Sequence, residues 1–145
     1  MKLKAIHIET VTWHAAESQL RAVRTPVFVK EQHVTPEFEW DEKDADAMHL
    51  LALAGDEPVA CARIVDNKIQ RMAVLKHWRG QGVGLAILQQ AVDIIQQNGF
   101  ELAKLSAQTH AIHFYEKGDF VVTSGVYQDL HIPHVDMQKM LIKKF

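Results

Sequence analysis

A mixed β-sheet with helices on both faces is the fold class this sequence predicts. Three observations carry it. Apolar, strand-like runs follow one another at His49–Ala54, Val59–Val65 and Ile69–Leu75. A helical repeat of Val83, Ala86, Ile87, Ala91, Ile94 and Ile95 then reaches about Gln97. A further short strand, Leu102–Ala107, comes after it. Strands in series followed by a helical crossover to another strand put helices over a sheet.

The remaining elements follow in order. Lys2 to Glu9 alternates, with Leu3, Ala5 and Ile8 apolar, and reads as the first strand. Thr10 or Thr12 can cap a helix from about Trp13 that carries Ala15, Ala16, Leu20 and Val23. Pro26 either starts a second helical segment or kinks the first. Gly55–Pro58 is a turn, and Asp66–Asn67 a tight hairpin. Asn98–Gly99 ends the long helix. His110 to Lys117 is a short helix, and 120–123 and 135–142 read as two closing strands.

Composition narrows the function classes. At 145 residues, 48% apolar and 23% charged, the chain suits one globular domain spanning 1–145. A net charge of −2 argues against a general nucleic-acid or membrane-surface binder. The first residues lack an apolar run of signal-peptide length, and no stretch approaches 18 apolar residues. A cytoplasmic protein, monomer or homodimer, is therefore expected. The single Cys61, in an apolar run, reads as a small buried residue.

The chemistry concentrates in Arg71–Leu88. Gly80, Gly82 and Gly84 fall at alternate positions between a strand and a helix. Glycine allows close approach of the backbone and φ > 0, and the first N–H groups of a helix point outward at its positive end. The arrangement is a phosphate cradle, flanked by Arg71, Lys76 and Arg79. No Lys-Ser or Lys-Thr follows, so a nucleoside triphosphatase loop is excluded, and the third glycine comes one residue early for GxGxxG.

Arg79-Gly80-Gln81-Gly82-Val83-Gly84 has the form Q/R-x-x-G-x-G/A, which resembles the acetyl-CoA pyrophosphate loop of the GNAT superfamily of acyltransferases. The segment from Ala107 through Gln108, His110, His113, Phe114 and Tyr115 to Gly118 and Phe120 is similar to that family's N-x-x-A-x-x-F/L-Y-x-x-x-G-F. Val27 to Val34 with Glu31-Gln32, an acidic loop with Glu39, Asp41 and Asp44, His49-Leu50, and the tail from Tyr127 through Ile132-Pro133-His134 to Met137 resemble the ElaA-like branch. Together these cover about residues 20–140. Gln108 stands where Asn is common, and Asp119 replaces the usual Gly before Phe120. Asp tolerates left-handed backbone better than most residues.

The resemblance implies an α/β fold with a central mixed sheet of about six to seven strands, about four flanking helices and splayed parallel strands at the acetyl-CoA site. It implies an N-acetyltransferase that moves acetyl directly from acetyl-CoA to a primary amine on a small molecule or peptide. Arg79 to Gly84 would take the pyrophosphate. Met72, Ala73 and Val74 would pair with the pantetheine arm, with His110 and His113 on the cofactor side. Tyr115 matches the general acid, and a phenol with a pKa near about 10 stays protonated at neutral pH to protonate a leaving thiolate. A lysine-like acceptor, with a pKa of about 10.4, calls for a base. Glu31, Glu39 and His49 are candidates, with His134 and His110 behind them.

Residues 37–46 hold six acids against one Lys43, with Phe38 and Trp40 interleaved. This is either a solvated loop or a wall that attracts a cationic acceptor through Glu39, Trp40 and Asp41; His134 is a further acceptor contact. His110/His113 and His131/His134 are spaced i, i+3, but no HExxH and no accompanying Cys occurs, so no metal is expected. The alternatives are a CoA-binding sensor or interaction module with little turnover, and a nucleotide-binding module on the same loop.

Overall fold

The computed structural model describes residues 5–36 and 41–141. Eight strands form one mixed sheet in the order β1-β2-β3-β4-β5-β8-β6, with β7 also paired to β8. β1 (Ile6–Val11), β2 (Met48–Ala54), β3 (Glu57–Val65) and β4 (Lys68–Val74) run as an antiparallel meander. β5 (Leu102–Gln108) lies parallel to β4 and antiparallel to β8 (Ile132–Met140). β6 (Val121–Val122) and β7 (Tyr127–Asp129) both pair with β8.

Helices cover both faces. α1 (Trp13–Arg24) starts where the Thr12 hydroxyl accepts from the Ala15 amide at 3.1 Å. It lays Ala16, Leu20 and Val23 against Leu51, Cys61 and Ala73. The opposite face carries α2 (Val83–Gln97), whose Ile87, Leu88, Ala91 and Ile95 pack on Leu50, Ala62, Leu105 and Met137. α2 ends at Gly99 (φ +92), where Gly99 and Phe100 amides return to Gln96 and Ile95 carbonyls. α3 (Ile112–Lys117) is short and follows a single 3₁₀ turn at Thr109–Ala111.

The expected mixed sheet with helices on both faces is present, and among the described residues it has eight strands. Of the two expectations for Pro26, the structure has the first: it stands at the start of a second helical segment. Thr25–Glu31 continues the chain as a π-helix, with Pro26 in its first turn, where a missing N–H is tolerated. The Tyr127–Asp129 strand was not foreseen; it turns back onto β8 through Leu130 and His131, both at positive φ. Consequently β8 starts at Ile132 rather than Val135, and β6 is confined to two residues.

Candidate active site

The site forms where two parallel strands separate. β4 and β5 pair only at Lys68 with Lys104 and Ile69 with Leu105. Beyond that, β4 bends away. Its pairing with β3 shifts register between Cys61 and Arg63, so two residues, Arg71 and Met72, oppose Ala62 alone. Such a bulge sharpens local twist and redirects the strand. Arg71 takes φ +51 there, a conformation that costs an ordinary L-residue roughly 1–2 kcal/mol. The result is a cleft of about 1020 Å³ bounded by the upper parts of β4 and β5, the π-helix and the glycine turn.

One end of the cleft is the glycine turn. Gly80 and Gly82 sit at φ +75 and +85, and Gly82 is the N-cap of α2 without any side-chain cap. The first intrahelical bond runs from Ala86 N to Gly82 O at 3.1 Å, which leaves the amides of Val83, Gly84 and Leu85 without helical partners. A Cβ on Gly84 would meet Phe114 at 3.1 Å and Val74 at 3.3 Å, so glycine here lets α2 seat against α3 and β4. An uncapped helix start behind two left-handed glycines fits a pyrophosphate. Gln81 donates its amide to the His77 carbonyl at 2.8 Å, bracing the turn from inside.

Arg79 is already engaged. Its Nε donates to Val74 O at 2.9 Å, and its two terminal nitrogens meet the Glu31 carboxylate at 2.7 and 2.8 Å. That bidentate pair, opposed by partial burial, holds the Glu31 carboxyl below the usual carboxylate range. On the other side, Gln108 donates to Gln32 Oε1 at 2.7 Å. The end of the π-helix is thus tied to both β4 and β5 across the cleft.

Tyr115 stands on α3, packed edge-on against Phe114 at 5.0 Å and Phe120 at 6.4 Å. Its hydroxyl reaches Met72 Sδ on β4 at 3.9 Å. Burial pushes the phenol up to about 12. The helix end that positions it is a Schellman turn: Phe120 N returns to Tyr115 O at 3.2 Å and Asp119 N to Glu116 O at 3.0 Å. Asp119 occupies the left-handed position at φ +69, so the turn forms without the expected glycine.

A polar cluster lies on the α1-side face of β5 and β8. Ser106 pairs with Asp136 and Gln108 with His134. The Tyr127 hydroxyl donates to Asp136 Oδ1 at 2.6 Å and is also bonded to Ser106 Oγ. Burial and the Asp136 carboxylate raise the phenol's pKa. His134 stacks on Tyr127 at 6.1 Å, and its Nδ1 donates to Ile132 O at 2.7 Å.

Several expected site residues lie elsewhere. His49 is only 1% exposed, sits beneath Trp13 and donates from Nε2 to Asp44 O at 2.9 Å, away from the cleft. Burial lowers its pKa. Asp41 does not face the cleft: its carboxylate is held by Arg63 at 2.6 Å and Arg71 at 3.3 Å. Burial pushes the Asp41 carboxyl up, but Arg63 and Arg71 outweigh it and hold it low. Asp44 is likewise locked between Arg24 and Arg63 at 2.8 and 3.0 Å. Glu39 and Trp40 lie outside the described residues. His113 has a fully solvated ring, 96% exposed, beside Glu116, whereas His110 lines the cleft. Met72, Ala73, Val74, Gly80, Gly82, Gly84, Glu31 and His134 line it too. Gln32, Ser106, Gln108 and Asp136 line it without having been singled out as site residues. The signal was the strict polar alternation of Lys104, Ser106, Gln108 and of His134, Asp136, Gln138.

Comparison with known proteins decides the family. Residues 14–141 match the family described as "Acetyltransferase (GNAT) domain". The chain belongs to the GNAT acetyltransferases. Among its relatives, the uncharacterized YyaT of Bacillus subtilis is 33% identical, over 92% of this chain and 95% of its own length. ElaA of Escherichia coli is 30% identical over 87% of this chain and 90% of its own. A crystal structure of a putative N-acetyltransferase from Lactobacillus plantarum superposes with a TM-score of 0.86 at 29% identity, covering 95% of this chain and 99% of that one. The ElaA crystal structure gives 0.83 at 27%, covering 93% and 99%. GNAT acetyltransferases use acetyl-CoA and act on small-molecule or peptide amines. Among the described residues no group of three or more His, Cys, Asp or Glu could hold a metal, and no helix is long and apolar enough to cross a membrane.

Proposed function

We propose that this chain is an N-acetyltransferase that moves an acetyl group directly from acetyl-CoA to a primary amine. The observation that carries the reading is the Tyr115 hydroxyl, held at Met72 in the opening between β4 and β5 and downstream of an uncapped glycine turn. Bound acetyl-CoA would supply a thioester activated toward amines. The amides at the start of α2 hold the pyrophosphate, with Arg79 fixing the turn to the end of β4. Met72, Ala73 and Val74, freed from β5 by the bulge, offer backbone groups to the pantetheine arm and an N–H to the developing oxyanion. His110 borders the same cleft.

Tyr115 donates its proton to the departing sulfur. A phenol held near 12 is fully protonated across the physiological range, which suits an acid and not a base. Glu31 is a poor base, because Arg79 occupies both its oxygens. Its place is structural: it anchors Arg79. The test is Tyr115→Phe with acetyl-CoA and an accepted amine. We expect kcat to fall by about 10²–10⁴ with CoA affinity unchanged. Unaltered kcat would remove the acid role. Tight CoA binding by the wild-type chain without turnover on any amine would favour a sensor.

A further inference from the structure

We infer that Ser106, Asp136 and His134 form the subsite that binds the acceptor, and that it is built for a primary alkylammonium group. The inference rests on the acetyl-transfer reading only in calling the bound amine an acceptor. All three residues line the cleft, on the sheet face that α1 and the π-helix share.

Tyr127 donates its hydroxyl hydrogen to Asp136 Oδ1. In its contact with Ser106, Tyr127 is therefore the acceptor and Ser106 spends its hydrogen inward. His134 spends Nδ1–H on the Ile132 carbonyl, and in that tautomer its Nε2 is an acceptor. The Asp136 amide is used as well, donating to Ser124 Oγ at 2.8 Å. What remains is the lone pairs of Ser106 Oγ, Asp136 Oδ2 and His134 Nε2, and neither of the last two has a partner among the described residues. His134 is only 9% exposed, yet no buried side-chain polar atom among the described residues lacks a partner, so its Nε2 faces the open cleft, where a ligand N–H can replace water. Hydrogen-bond acceptors without donors, one of them a carboxylate, match a group with three N–H donors, a positive charge and no acceptor. A hydroxyl ligand matches them less well, having one hydrogen and no charge. Tyr127 fixes the cluster from behind by stacking on His134 and bridging Ser106 to Asp136.

The test is an NMR titration of the whole chain, without acetyl-CoA, using three probes of similar length. 1,4-Diaminobutane carries ammonium groups, 1,4-butanediol is its uncharged counterpart, and butyltrimethylammonium keeps a charge without N–H donors. We expect diaminobutane to shift the Tyr127 and His134 ring resonances, and the other two to bind at least tenfold more weakly. Asp136→Asn, which keeps the shape, should weaken diaminobutane at least tenfold, and Ser106→Ala at least threefold. Equal shifts from the diol, or undiminished binding in both variants, would overturn the assignment. The two readings fail separately. Ammonium binding here without thiol release from acetyl-CoA would sink acetyl transfer alone. Amine-dependent thiol release with an unchanged KM in Asp136→Asn would sink the subsite alone.

Discussion

Tyr115 depends on its neighbours more than on its own chemistry. The Schellman turn after α3 draws its carbonyl into bonds with Gly118 and Phe120, and Phe114 and Phe120 fix the ring. Gly118 is needed for space rather than for backbone freedom: a Cβ there would lie 2.7 Å from Leu88 Cδ2 in the core. Gly118→Ala should destabilise the protein by about 1 kcal/mol, the lower end of overpacking costs, as a lowered midpoint in urea unfolding with an unchanged slope. An unchanged midpoint would mean Leu88 moves freely. Tyr115 itself was legible in the sequence because a short motif surrounds it. Ser106 and Asp136 were not, because strand alternation marks a polar face without saying whether it meets water or a cleft.

At the scale of elements, the π-helix and the β4 bulge make the cleft. Neither leaves a periodic trace. A π-helix spaces its apolar residues unlike an α-helix, and Val27-Phe28-Val29 therefore read only as an apolar cluster. The bulge depends on Arg71 accepting φ +51, which no residue preference announces. The π-helix also decides what Glu31 does. We expect Glu31→Gln to lower kcat by less than about tenfold and to leave the pH dependence of kcat unchanged, since a true general base contributes about 10²–10⁴. A fall within that larger range would return Glu31 to the chemistry.

Across the whole molecule, buried charge ties α1 and the loop before β2 to the sheet. Buried Asp44 bridges the buried Arg24 of α1 and Arg63 of β3, and Asp41 links Arg63 outward to Arg71. The acidic run therefore serves in part as an anchor. The sequence shows its charge but not its partners, which lie 19 and 20 residues from Asp44. Asp44→Ala removes the carboxylate that two buried guanidinium groups share and should cost about 3 kcal/mol in denaturant unfolding, the lower end for breaking a buried pair because Arg63 keeps Asp41 and Gln70; a loss under about 1 kcal/mol would show the network to be hydrated.

Acid should act on the same region. Burial raises the Asp44 carboxyl, but Arg24 and Arg63 offset this and hold it below its unfolded value. Its contribution is present above about pH 3.9 and is lost as pH falls through the lower folded value. His49 is depressed by burial, so stability begins to fall once pH drops below its unfolded value of about 6.5. The melting temperature should decline in these two stages between about pH 7 and 3. His49→Gln should remove the upper stage, and a profile identical to wild type would contradict the assignment. At the alkaline end, Tyr115 is raised to about 12, so its contribution is complete below about pH 10 and disappears as pH rises through 12.

The central claim is acetyl transfer to an amine, and free thiol is its direct readout. The wild-type chain should be incubated with acetyl-CoA and a panel of polyamines, amino sugars, amino acids and peptides, and thiol release followed for each. Release should depend on a primary amine, saturate with it and fall by about 10²–10⁴ in Tyr115→Phe. Saturable CoA binding with no acceptor-dependent thiol from any member of the panel would contradict it.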